Sequence, residues 1–125
     1  MKRRHRLSRS RDFDAVYRHG RSVSSRYLVL YAFPRSGSEE APEEARLGLA
    51  VSRQVGDAPD RNRVKRQLRA AFDELRAEIQ PGQDYVLIVR PGFVEAASTR
   101  GFPWVVERVR EVLGQARALA GATPR

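Results

Sequence analysis

The sequence predicts an α+β fold, a single-domain α/β sandwich with its elements in the order helix, strand, strand, helix, strand, helix. Three observations predict it. Residues 26–33 and 46–52 alternate side chains with a period of two, as strands do. Residues 61–79 place apolar side chains at offsets of three, four and seven, the spacing of one helix face. Tyr85-Val86-Leu87-Ile88-Val89 is apolar on both faces, as a central strand is. With 125 residues and 41% hydrophobic content, the chain has room for one domain, 1–125, around one modest core. A basic leader over 1–9 and a tail over 120–125 are expected to be flexible.

The first helix is predicted from about Arg11 to Gly20, with Ser10 as its cap and Asp12 and Asp14 in the first turn, where the helix dipole favours anions. Phe13 and Tyr17 sit four apart on it and share a face. In the strand Arg26–Phe33, alternation sends Tyr27, Val29, Tyr31 and Phe33 one way and Leu28, Leu30 and Ala32 the other. Residues 34–45, rich in Ser, Gly, Pro and Glu, read as a solvated loop closing a long hairpin to the strand Arg46–Ser52. That second strand places Leu47, Leu49 and Val51 on one side and the smaller Gly48, Ala50 and Ser52 on the other, leaving space there.

Asp60 is the expected cap of a long helix from Arg61, whose buried stripe is Val64, Leu68, Ala71, Phe72, Leu75 and Ile79. Pro81-Gly82 ends it, a strand follows over 84–90, and a last helix from about Pro103 buries Val105, Val109, Val112 and Ala116. Phe33, Phe72 and Trp104 are expected in the core.

Charge argues about partners. The chain has 24 Lys plus Arg against 15 Asp plus Glu, a formal charge of +9. Residues 61–69 hold five of those cations and no acid. At 100° per residue, Asn62, Lys65, Arg66 and Arg69 fall together beside the buried stripe, with Arg63 further round. Cations so gathered, near the free N–H groups of a helix start, suit the phosphates of a nucleic acid. Asn62 can hold loop backbone or touch RNA, and the residues alone leave both open. Phe13, Tyr17 and Tyr31 can line a cleft between helix and sheet. Aromatic walls with cationic edges suit a single strand, whose bases stack without sequence-specific hydrogen bonds.

Several classes are disfavoured. Zero cysteines leave no disulfide or thiolate site, and His5 and His19 are not spaced as a ligand pair, so no protein-held metal is expected. No run approaches a membrane span and no apolar signal core follows the basic N-terminus, which places the protein in the cytoplasm, away from membranes. No Ser/His/Asp arrangement or phosphate-cradling Gly-rich loop offers a catalytic residue.

The segment Gly48-Leu49-Ala50-Val51-Ser52-Arg53-Gln54-Val55-Gly56-Asp57-Ala58-Pro59-Asp60-Arg61-Asn62-Arg63-Val64-Lys65-Arg66 resembles the signature of the bacterial ribonuclease P protein subunit. The resemblance extends upstream to Leu7, Asp12-Phe13, Val16-Tyr17, His19-Gly20-Arg21 and Leu30-Tyr31, and downstream to Tyr85–Arg90. Gln54 stands where that family usually has a second cation, and Asp57 and Pro59 replace a commoner Asn and aliphatic residue.

The resemblance implies a ribonucleoprotein endonuclease that removes the 5′ leader of precursor tRNA, with hydrolysis by the RNA subunit and Mg²⁺ reaching the site through that RNA. It implies that Arg61, Asn62, Arg63, Lys65, Arg66 and Arg69 bind the ribonuclease P RNA, and that Phe13, Tyr17, Tyr31, Ser52 and Arg53 line the leader cleft. It implies a left-handed βαβ crossover, against the usual hand, and no obligate protein partner. A small structural RNA-binding protein of the ribosomal kind is the alternative that charge and size would equally serve. A helix-turn-helix DNA regulator fits worse, since no short helix is predicted just before Arg61.

Overall fold

The computed structural model describes the backbone of residues 5–34, 44–79 and 81–122, and side chains to residue 118. The elements are α1 (Ser10–His19), β1 (Arg21–Ser24), β2 (Leu28–Pro34), β3 (Arg46–Ala50), α2 (Ala58–Glu74), a 3-10 turn (Arg76–Glu78), β4 (Gln83–Val89), α3 (Phe93–Arg100) and α4 (Phe102–Ala122). The strands form one sheet in the order β1-β2-β4-β3. β2 runs antiparallel to β1 and β4, and β3 lies parallel to β4.

Pleating divides the side chains between two layers. Leu28 and Leu30 of β2, Leu47 of β3, and Tyr85, Leu87 and Val89 of β4 face the main core. There they meet the α2 stripe Val64, Leu68, Ala71 and Phe72, then Leu75, and the α4 stripe Val105, Val109 and Val112. Phe72 is wholly buried, edge-on to Tyr85 at 5.9 Å between ring centroids. The opposite sheet face carries a smaller cluster, with Val86 beneath Leu7 and Val16 and with Phe13, Tyr31, Phe33 and Ile88 around them. One helix, α1, lies across that second face.

Several expectations need correction. The strands at 26–33 and 46–52 do not form a hairpin, because β4 lies between β2 and β3; most of the loop between them, 35–43, falls outside the described residues. A strand, β1, and a helix, α3, join the predicted order. β1 is four residues with one apolar side chain, Val23, and α3 buries only Phe93 and Ala97, so neither has a long enough period to stand out. α3 runs between Gly92 and Gly101, both at positive φ (96° and 83°).

Helix starts differ too. The position before α1 is Arg9, which makes no side-chain cap, and Ser10 is already helical. Asp57, not Asp60, caps α2: its carboxylate accepts the Asp60 N–H at 2.9 Å, so the helix starts three residues before Arg61 with Pro59 in its first turn. α2 ends at Glu74, leaving Ile79 buried beyond the 3-10 turn.

Tyr27 precedes β2 and escapes its alternation. It turns to the core side, edge-on to Trp104 at 5.0 Å, while Phe33 joins the small cluster on the other face instead of the main core. The described part of the leader touches the sheet. Leu7 is buried, its N–H donates to the Leu47 carbonyl at 2.9 Å, and His5 Nε2 lies 2.7 Å from Glu44 Oε2. At the other end α4 runs on through Ala122, into the expected tail.

Candidate nucleic-acid interface

Phe13 and Tyr17 occupy successive turns of α1, and both reach the sheet face that α1 crosses. Their centroids are 6.3 Å apart, and Tyr17 stands edge-on to Tyr31 of β2 at 5.1 Å. The space predicted above the small residues of β3 is filled by the chain itself. A Cβ at Gly48 would lie 2.6 Å from Phe13 Cζ and 3.2 Å from Leu7 Cβ, so the ring rests directly on Gly48. Gly20 allows the other end of α1 to approach as closely: a Cβ there would meet the Val16 and Ala32 carbonyl oxygens at 2.4 and 3.0 Å.

An ion-pair hub ties the first turn of α1 to the sheet. Arg46 donates from Nε and Nη2 to the two carboxylate oxygens of Asp84 at 2.9 and 2.7 Å, and its Nη1 lies 3.8 Å from Asp12. Asp84 is buried, 3% exposed, and hydrogen bonding to it raises the Arg46 pKa above its ordinary value.

The sheet face beside α1 is less covered in one direction. Tyr31, Val86 and Gly48 form a row across the sheet beneath α1; the next row, Val29, Ile88 and Ala50, is partly exposed. Ser52 and Arg53 follow β3 at that open end, both exposed. The structure thus brings Phe13, Tyr17 and Tyr31 together, while Ser52 and Arg53 stand just past β3 toward the more exposed end of that sheet face. Tyr17, at 39%, is the one large apolar side chain classed as exposed among the described residues. Burial first, and Tyr31 second, raise its phenol pKa, so the ring stays neutral in physiological solution.

The second surface is the outer face of α2. Val64 and Leu68 are buried, Asn62, Arg63 and Arg66 are exposed, and Arg61, Lys65 and Arg69 are half-buried. Arg63 reaches Asp60 at 3.0 Å, an exposed pair of small net worth. Arg61, Lys65, Arg66 and Arg69 form no ion pair among the described residues. Three arginines elsewhere are paired with acids: Arg76 with Asp73, Arg108 with Glu111, and Arg110 with Glu78 and Glu107.

Arg6 is a contributor that sequence reasoning missed. Burial, then the charge of Arg6, lowers the Arg69 pKa, so leader and helix hold two like charges close together, an arrangement that an arriving anion relieves. The leader's composition hinted at a basic surface, but only the Arg6–Leu47 bridge beside β3 places it near α2.

No group of three His, Asp or Glu among the described residues is placed to hold a metal ion, and the acids nearest the cleft, Asp12 and Asp84, are engaged by Arg46. No helix among the described residues is long and apolar enough to cross a membrane.

Comparison with known proteins places this geometry. The family model described as Ribonuclease P matches residues 1–116. The chain is 40% identical over 120 residues to the ribonuclease P protein component of Shouchella clausii, covering 96% of this chain and 92% of that one. It is 35% identical over 119 residues to the Listeria monocytogenes protein of the same name, covering 95% and 93%. Among solved structures, the RNase P protein from Thermotoga maritima superposes with a TM-score of 0.77 at 30% identity, over 88% of this chain and 96% of that one. The Staphylococcus aureus RNase P protein gives 0.73 at 28% identity, over 90% and 94%. With its sheet, its aromatic cluster and its basic helix all inside the matched region, the chain belongs to the ribonuclease P protein family, the protein component of the endoribonuclease that matures tRNA 5′ ends.

Proposed function

We propose that this subunit divides its RNA contacts between two surfaces. The α2 face, with Arg61, Asn62, Arg63, Lys65, Arg66 and Arg69, holds the ribonuclease P RNA, and the cleft of Phe13, Tyr17 and Tyr31, with Ser52 and Arg53 at its mouth, receives the single-stranded 5′ leader of precursor tRNA. The observation that supports the leader assignment is the exposed Tyr17 ring, fixed edge-on against Tyr31 where a base can stack on it. The work divides accordingly. Cations on α2 screen RNA phosphates and release counterions on assembly; the cleft adds binding energy that mature tRNA, lacking a leader, cannot use. Phosphodiester hydrolysis belongs to the RNA, with Mg²⁺ supplied through it, and the assembly works in the cytoplasm without an obligate protein partner.

Replacing Tyr17 and Tyr31 together by Ala is expected to weaken holoenzyme binding of precursor tRNA about tenfold, within the range for losing one stacked base. Mature tRNA affinity should stay within about twofold. Equal losses for both RNAs would take the leader out of the cleft. Replacing Arg63 and Arg66 by Ala is expected to weaken binding to ribonuclease P RNA and to flatten the plot of log affinity against log salt by about 1.5 units, the signature of two lost phosphate contacts. An unchanged slope would remove those arginines from the interface.

A further inference from the structure

Three arginines outside both surfaces gather at one end of the sheet. Because β2 and β4 are antiparallel, the turn entering β2 and the residues leaving β4 lie at the same end, which is also the end where β3 delivers Ser52 and Arg53. There an open groove of about 380 Å³ runs between the β1–β2 turn and α3, lined by Arg26, Tyr27, Gly92, Glu95, Thr99 and Arg100 among others.

We propose that this groove is a third RNA-contact surface, which takes the sugar–phosphate backbone without reading sequence. The inference rests on the RNA-binding function above but on different residues. Arg26 and Arg100 are both exposed, and neither forms an ion pair among the described residues. Glu95 lines the same groove and pairs with neither of them. The Ser98 and Thr99 hydroxyls both donate to the Glu95 carbonyl, at 3.1 and 2.9 Å.

Arg26 is also held in place, which a merely solvated arginine has no need to be. Its guanidinium lies 5.3 Å from the Tyr27 ring centroid, and that ring is itself packed on Trp104. The turn beneath it is closed by the Ser25 N–H donating to the Leu28 carbonyl at 2.8 Å and the Leu28 N–H donating to Ser25 Oγ at 3.2 Å. Arg90 braces it twice, through its own N–H to the Tyr27 carbonyl at 2.9 Å and through Nη1 to the Ser25 carbonyl at 3.0 Å. A cation ordered in advance loses less entropy on meeting a phosphate. Arg90 adds a third positive charge at the same corner, so the local field favours a polyanion despite Glu95.

The test uses the full chain reconstituted with ribonuclease P RNA. Affinity of an Arg26→Ala/Arg100→Ala variant is measured against salt in three arms: protein for ribonuclease P RNA, holoenzyme for precursor tRNA, and holoenzyme for mature tRNA. At least one arm should lose about tenfold at low salt, with its salt slope reduced by about 1.5 units, and Arg26→Lys/Arg100→Lys should recover most of it. A loss in the first arm assigns the groove to the catalytic RNA, in both tRNA arms to the tRNA body, and in the precursor arm alone to the leader. Unchanged affinity and slope in all three arms would overturn the proposal. If Arg63→Ala/Arg66→Ala still weakens assembly in the same assay, the RNA-binding reading survives that result; if it does not, both fail.

Discussion

Replacing Arg46 by Ala is expected to destabilise the fold by about 3–5 kcal/mol, the cost of removing one partner from a buried charge pair. The Asp84 carboxylate is 3% exposed and takes both of its strong Arg46 bonds from one planar fork. Losing the fork removes two charge-assisted bonds from a carboxylate that water does not reach to replace them. The same change cuts the link from Asp12 to the sheet, so α1 should lose its set position above Gly48 and Tyr31. Denaturant unfolding should show the midpoint falling at constant m-value. Arg46→Lys keeps the charge but not the bidentate geometry, and should recover only part of the loss. A deficit under about 1 kcal/mol would mean that the pair behaves as a solvated surface bridge. An Arg46→Met/Asp84→Leu variant separates the two roles. Stability should return, since an apolar pair can replace a buried ionic one, while the preference for precursor over mature tRNA should stay reduced because Asp12 still has no partner on the sheet.

What the sequence made legible follows from how each signal is carried. The α2 stripe and the apolar run of β4 are local patterns several residues long, and both were found where predicted, with boundary errors of a few residues. Asp60 reads as the cap because it directly precedes the run of cations, whereas the Asp57 carboxylate is the one that receives a free N–H. The hairpin error came from chain order: neighbouring strands usually pair, yet β4, apolar on both faces, needed a strand on either side and took the place between β2 and β3. Alternation misplaced Tyr27 because the period holds only inside the strand, which begins at Leu28.

The site divides the same way. Its residue types were legible: aromatics four apart on a helix, a cation run beside a buried stripe. Its assembly was not, because the contacts of Phe13 with Gly48 and Asp12 with Arg46, and the charge repulsion between Arg6 and Arg69, join residues that are 34 to 63 positions apart. No periodicity encodes such pairs. Gly48 left a trace, as a small residue in a strand, and the structure shows that the space it leaves belongs to the cleft's own wall.

Gly48→Val tests that wall most directly, and is expected to cost about 3 kcal/mol, the upper part of the range for overpacking. Gly48 has no positive φ, so the β-branched side chain suits its backbone and the cost arises from contact alone. The new Cβ would stand 2.6 and 2.9 Å from two Phe13 ring carbons, which forces the ring off the sheet and tilts the face that also carries Tyr17. The folded variant should therefore lose preference for precursor over mature tRNA, while the salt slope of its binding to ribonuclease P RNA stays that of the unmodified protein, because α2 is untouched. A double-mutant cycle with Phe13→Ala isolates the cause. In the Phe13→Ala background, Gly48→Val should cost about 1 kcal/mol or less, the remainder arising from Leu7, whose Cβ is 3.2 Å away. Equal costs in the two backgrounds would show that the glycine answers to something other than the ring, and the cleft would then need a different floor.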